Sequence, residues 1–199
     1  NSSDDHTDYN RRFALFLPIT ISRASSSFTH TLTYAFGNST GTITTKTTST
    51  SVSWTPALTL ANQIPSTTSG TCTITCDTYN GSSKIGTKTC TLTLTVPSSV
   101  KPSISSLTAT RVDGSVPAAW GIYVQSKSKA TLTINGAAGI YGSTIKTYSI
   151  SGGGYSGTQS SLTTGFLNSS GTITFTATVT DSRGRTSAAA TVSISVVAY

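Results

Sequence analysis

The chain has 199 residues, enough for one or two domains of about 100–200 residues each. Only 10% are charged, against about 25% in ordinary soluble domains, so the solvent faces must be built mainly from hydroxyls. The net charge of +7 comes from 13 Lys and Arg against 6 acids, every one an Asp; the bases are scattered from Arg11 to Arg185 instead of clustered on one stretch, which argues against sequence-directed nucleic-acid binding. No apolar run approaches the roughly 18 residues that cross a bilayer, and no helical stripe recurs, so neither membrane insertion nor a helical fold is expected.

In chain order, residues 1–10 are polar and lack alternation, and they read as a loose solvated segment. Asp4, Asp5, His6 and Asp8 could be imagined around a metal, but nothing in the pattern fixes their geometry. Residues 13–21 place Phe13, Leu15, Leu17, Ile19 and Ile21 on one face of a strand, with Pro18 suited only to an edge or a bulge. That strand either belongs to the first module or completes a preceding domain. Further strands are predicted near 28–36, 41–47, 50–54, 71–79 and 85–96, then 104–112, 119–125, 129–135, 143–150, 160–166, 171–180 and 185–197. β-Branched Thr dominates these runs, as a half-buried pleated surface allows. The fold class is all-β. The chain contains no Met, hence no encoded initiator at Asn1, and reads as a fragment or a processed product.

The two halves repeat one another. SGTCTITCDTYNG at 69–81 and SGTITFTATVTDSRG at 170–184 both open with Ser-Gly-Thr, alternate polar and apolar residues, reach a Gly-containing turn and return in a second alternating run. Each is a β-hairpin. Upstream, Thr31-Leu32-Thr33-Tyr34 is matched a hundred residues later by Thr131-Leu132-Thr133-Ile134. A period this long is a repeated domain and not a solenoid turn. The expected architecture is therefore two tandem immunoglobulin-like β-sandwich modules, 11–99 and 100–199, about seven strands in the second. The stretch 97–102, with a proline at each end, is a short stiff linker between them.

The cysteines fit the same picture. Cys72 and Cys76 are four apart on one strand, about 13 Å between α-carbons, too far for a disulfide. Cys90, on the returning strand, could approach either. With an odd count and all three on the expected inward face, they read as core fillers with free thiols, suited to folding in a reducing cytosol.

Four further stretches carry a family resemblance: LPITISRASSS at 17–27, SSFTHTLTYAFGNSTGTI at 26–43, SVSWTPAL at 51–58, and TATRVDGSVPAAWGIYVQSKSKATLTINGAAGIYGSTIKTYSISGGGYSG at 108–157. They resemble uncharacterised structural, tail- or fibre-type virion proteins of siphophages infecting Gram-positive bacteria, built of tandem Ig-like modules. The resemblance covers nearly all of the chain after residue 13, with Ser22 standing where a second proline would be expected. It implies a virion component of the tail or fibre, assembled in the host cytoplasm and exposed outside the cell; the repeat, the short proline-bounded linker and the lack of catalytic groups then suit a rigid spacer with room for weak adhesion to host-surface glycan. Other virion proteins, further copies of the chain and a cell-wall glycan are the implied partners. It supplies no catalytic residues. The alternative is a dedicated receptor- or carbohydrate-binding module of a phage or bacterial adhesin.

The inventory of chemistry is thin. Glycoside hydrolysis commonly needs two facing carboxylates, yet beyond residue 10 only Asp77, Asp113 and Asp181 remain, the last two in turns. His30 shares parity with Leu32, Tyr34 and Phe36, so a packing role is expected. No enzyme activity, cofactor or metal is expected. Rings offer better binding candidates, because sugars stack on exposed aromatics. Trp54 and Trp120 share faces with apolar neighbours and are expected in the core. Tyr155, in the glycine-rich SGGGYSG at 151–157, is the first candidate, either exposed at a loop or folded back over a sheet edge. Tyr141, in Gly-Ile-Tyr-Gly, is the second.

Overall fold

A computed structural model describes residues 13–199; the polar segment 1–10 and its acids lie outside the described residues. Between Ser99 and Val100 the chain divides into two compact units.

The first unit contains β1 (Leu17–Thr20), β2 (Thr29–Phe36), β3 (Ser39–Thr47), β4 (Ser51–Trp54), a 3₁₀ turn at Leu58–Gln63, β5 (Ser69–Asn80) and β6 (Ser83–Thr95). β3, β2, β5 and β6 form a four-stranded antiparallel sheet, and β1 and β4 pair as a separate two-stranded ribbon. Alternation sets the inner face: His30, Leu32 and Phe36 of β2 and Cys72 and Ile74 of β5 are buried. The ribbon covers part of that face, with the Trp54 ring stacked on Tyr34 at 4.9 Å. Phe13 packs edge-on against Phe36 at 5.2 Å, and Leu60 and Ala61 of the 3₁₀ turn are buried at 6% and 0% exposure.

The strand predicted over 13–21 is shorter. Ala14 adopts φ 63°, a turn that breaks the alternation, so Phe13 is buried while Leu15 and Phe16 are exposed. Ordered pairing starts only at Leu17, and it is with β4.

The second unit contains β7 (Ser106–Val112), a 3₁₀ turn at Ala118–Trp120, β8 (Tyr123–Val124), β9 (Lys129–Asn135), β10 (Ile145–Gly152), β11 (Tyr155–Gly157), β12 (Ser161–Thr163), β13 (Gly171–Asp181) and β14 (Ala190–Val197). One sheet has the order β12-β9-β7 and the other β11-β10-β13-β14-β8, with β8 parallel to β14. Buried side chains from both sheets, among them Leu107, Leu132, Ile150, Phe175 and Val179, form one hydrophobic cluster. Two sheets sharing a core, antiparallel but for β8 and connected so that the chain crosses between them, make an immunoglobulin-like sandwich.

Strand order corrects one part of the predicted repeat. The hairpins β5–β6 and β13–β14 occupy the same place in their sheets. The match of Thr31–Tyr34 with 131–134 does not hold: β2 pairs with the first strand of the closing hairpin, whereas β9 lies in the opposite sheet between β12 and β7. The strand that occupies the place of β2 is β10. Short Thr-rich alternating runs resemble one another whichever sheet they enter, because alternation reports one buried face and not its partner.

Candidate binding surfaces

Tyr155 does not sit at an open loop tip. Gly152 pairs with Tyr155 across a two-residue turn, with Gly153 at φ 58° and Gly154 at φ 85°. Both central residues at positive φ make the tight hairpin turn that only glycine enters without strain. The half-buried Tyr155 ring packs on the second unit's core. Its hydroxyl donates to the Phe166 carbonyl at 2.9 Å and accepts from the Asn168 N–H at 3.2 Å. Tyr155 thereby ties β11 to the connection between β12 and β13.

Tyr141 lies in the connection between β9 and β10, at φ 49° and half-buried. The Arg183 guanidinium, from the turn between β13 and β14, donates to the Ile140 carbonyl at 2.8 Å and to the Tyr141 carbonyl at 2.6 Å. Asp181 fixes that turn: it is fully buried, and its Oδ1 accepts the N–H groups of Arg183 and Arg185, each at 2.9 Å. Tyr141 and Tyr155 stand on connections at opposite ends of β10, so they do not form one site.

Other aromatics are more exposed. Trp120, expected in the core, is 63% exposed. Pro117 and Gly121 flank it, and the segment closes as a 3₁₀ turn with Gly121 at φ 65°, so alternation with Ile122 and Val124 does not apply. Pro-Ala-Ala-Trp-Gly was the available signal, since proline initiates and glycine ends such turns. Phe166, expected at a strand end, is 54% exposed because β12 stops at Thr163. Tyr199 is also exposed. Lys129 lies over the Phe166 ring at 4.7 Å and Lys127 over Tyr199 at 4.3 Å. Gln125 joins these segments, donating to the Asn168 carbonyl at 3.1 Å and accepting from the Tyr199 N–H at 3.5 Å. Phe166 and Tyr199, each under a lysine, are thus tied through Gln125 and Asn168, and Trp120 is exposed in the connection between β7 and β8. Rings offer faces to sugar C–H groups, and ammonium groups offer donors to hydroxyls or anions.

The acids are committed locally. Asp77 accepts from the Thr87 hydroxyl at 2.7 Å and pairs with Lys84 at 3.5 Å; the hydroxyl first, then Lys84, holds its carboxyl below the usual carboxylate value. Asp113 pairs with Arg111. His30 is buried at its strand, 2% exposed.

All three cysteines are free thiols. Cys72 is buried, and burial pushes its thiol up to about 11. Cys76 is half-buried and shifted the same way for the same reason. Cys90, expected to fill the core, is exposed. It lies opposite Ile74 on β6.

Together these features define an immunoglobulin-like β-sandwich protein with an aromatic, lysine-bearing end. The chain belongs to the siphovirus proteins of unknown function (DUF859), whose family model matches residues 7–199; it is a bacteriophage protein. No match was found among the curated proteins. Among solved structures it is similar to the fibronectin(III)-like modules of CbhA from Clostridium thermocellum, at 15% identity over 98% of this chain and 93% of that one, TM-score 0.35. It is also similar to chicken CNTN1 FN1-FN3 domains, at 10% identity over 94% of this chain and 64% of that one, TM-score 0.35. A third is the N-terminal four Ig domains of Dscam1, at 12% identity over 94% of this chain and 42% of that one, TM-score 0.35. At such scores the fold assignment rests on the strand order alone. Among the described residues no helix is long and apolar enough to cross a membrane.

Proposed function

We propose that the protein is a structural component of the siphovirus tail or fibre, a non-enzymatic spacer whose second unit adheres weakly to host-surface glycan. Membership of a siphovirus family over residues 7–199 is the observation that supports the virion role. The short stretch 97–102 with its two prolines favours a stiff connection, and hydroxyl-rich strands suit a surface that stays hydrated in a crowded particle. Its partners are then neighbouring virion proteins and further copies of the chain, on a Gram-positive host.

For adhesion, the exposed Trp120, Phe166 and Tyr199 with Lys127 and Lys129 suit a cell-wall polymer bearing sugars and anionic groups. Tyr155 supports that surface from beneath through its bonds to Phe166 and Asn168. This end also favours the second reading, a dedicated receptor- or carbohydrate-binding module, and affinity separates the two. Labelled protein is titrated onto Gram-positive cells beside an unrelated sandwich and a Trp120→Ala/Phe166→Ala variant. Weak saturable binding lost in the variant is expected; tight binding indicates the dedicated module. Binding equal to the unrelated sandwich removes adhesion and leaves the spacer, which antibody labelling of intact virions tests separately.

A further inference from the structure

The sequence contains two Asn-Gly pairs, Asn80-Gly81 and Asn135-Gly136. An asparagine followed by glycine is chemically labile, because glycine has no β-carbon to shield its backbone nitrogen from the neighbouring side-chain amide. In both pairs the asparagine is the last residue of a strand, β5 or β9. Both glycines have positive φ, 60° at Gly81 and 65° at Gly136. Sequence and local backbone therefore do not tell the two pairs apart; their surroundings do. The Asn135 Nδ2 donates to the Ser106 hydroxyl at 3.2 Å, the Thr108 hydroxyl at 3.0 Å and the Thr133 carbonyl at 3.4 Å. Its main-chain carbonyl accepts the Ser105 N–H at 3.0 Å, and Ser105 also packs on Gly136. Asn80 instead stands at the tip of the β5–β6 hairpin, paired with Ser83 across a two-residue turn. Residues 80–84 are all exposed, and no atom lies within 4 Å of where a Gly81 β-carbon would be. Among the described residues no hydrogen bond holds the Asn80 side-chain amide.

We infer that Asn80 is a site of spontaneous deamidation, and that the hydrogen bonds of Asn135 protect the second Asn-Gly pair from the same reaction. The Gly81 nitrogen gives up its proton to hydroxide and attacks Asn80 Cγ. The new N–Cγ bond forms, the Cγ–Nδ2 bond breaks, and Nδ2 takes a proton from water and leaves as ammonia. Water then opens the resulting succinimide at either carbonyl, giving aspartate or isoaspartate. In balance one water is consumed and one ammonia released, with no change of oxidation state. At Asn135 the same rotation of the side-chain amide must first break its bonds to Ser106 and Thr108, which raises the barrier. The product places a carboxylate at the hairpin tip, on the residue paired with Ser83 and next to Lys84 along the facing strand. The isoaspartate form also routes the main chain through the former side chain, which lengthens a two-residue turn whose register depends on its length. Charge and shape at this tip thus change irreversibly as the protein ages.

The test follows the full chain, folded, in warm and mildly alkaline buffer below its melting transition. Peptide mapping by tandem mass spectrometry locates each gain of about 1 Da. In the folded chain Asn80 is expected to convert at least about tenfold faster than Asn135, a ratio equal to about 1.4 kcal/mol of extra barrier at the latter. In the urea-unfolded chain the two rates should converge, because both pairs are then bare Asn-Gly. A Ser106→Ala/Thr108→Ala variant, shown to be folded by its melting curve, should speed Asn135 and leave Asn80 unchanged. Asn80→Gln should abolish the gain at that position. Equal rates in the folded chain, or conversion of Asn80 only once the chain is unfolded, would overturn the inference. So would a ratio that persists unchanged in urea, which would trace the difference to sequence neighbours and not to the fold; this comparison does not depend on any variant folding. An unchanged Asn135 rate in the folded double variant would overturn the protective role given to its hydrogen bonds.

Discussion

The closing hairpins of the two units occupy the same place in their sheets, but only one of them is covered along its length. On β13 the inner residues Ile173, Phe175, Ala177, Val179 and Asp181 are all buried. On β5, Cys72 and Ile74 are buried, and Cys76 and Thr78 are only half covered. The difference lies in what faces them: β12, β9 and β7 in one unit, β1 and β4 in the other. A strand's burial is thus a property of the opposite sheet, and an alternating sequence can be only half used.

The contrast is broken most strongly in the complete unit. Phe175→Ala removes a fully buried ring and should cost about 3–5 kcal/mol, lowering the second unit's calorimetric transition and leaving the first unit's in place. Cys76→Ala, at a half-covered position on the other hairpin and removing a single sulfur, should cost well under that, leaving the first unit's transition almost unchanged.

Gly114→Ala should come next. Gly114 has φ 63°, and a β-carbon there would run into the Lys127 carbonyl, so about 1–3 kcal/mol is expected from backbone strain alone, read as a lower denaturation midpoint.

Tyr155→Phe keeps the ring and removes a hydroxyl with two partners, for an expected loss of about 1–2 kcal/mol. Hydrogen exchange should rise at Asn168 while the first unit's amides are unchanged. Loss of cell binding without that local loosening would instead mark Tyr155 as a direct ligand contact.

The smallest effect sharpens the view of the first unit's exposed hairpin. The Asp77 carboxyl is held below its usual value by Thr87 and Lys84, so its contribution to stability is present above the ordinary carboxylate pKa and disappears as pH falls through the depressed folded value. The first unit's melting temperature should fall slightly on acidification in that range, and Asp77→Asn should flatten that part of the profile.

Alternation and glycine turns made the all-β class, the positions of most strands and the two closing hairpins legible in the sequence, because they depend on neighbours two residues apart or on one φ angle. The same local logic misread Trp120 and the start of the first strand, where Pro117 and the turn at Ala14 interrupt the period. What sequence could not decide is which sheet each strand joins, that β2 takes the place of β10 and not of β9, and that Cys90 is exposed. Those depend on strands far away in the chain. A period of two names the buried face; only the assembled sheets determine what, if anything, lies across from it.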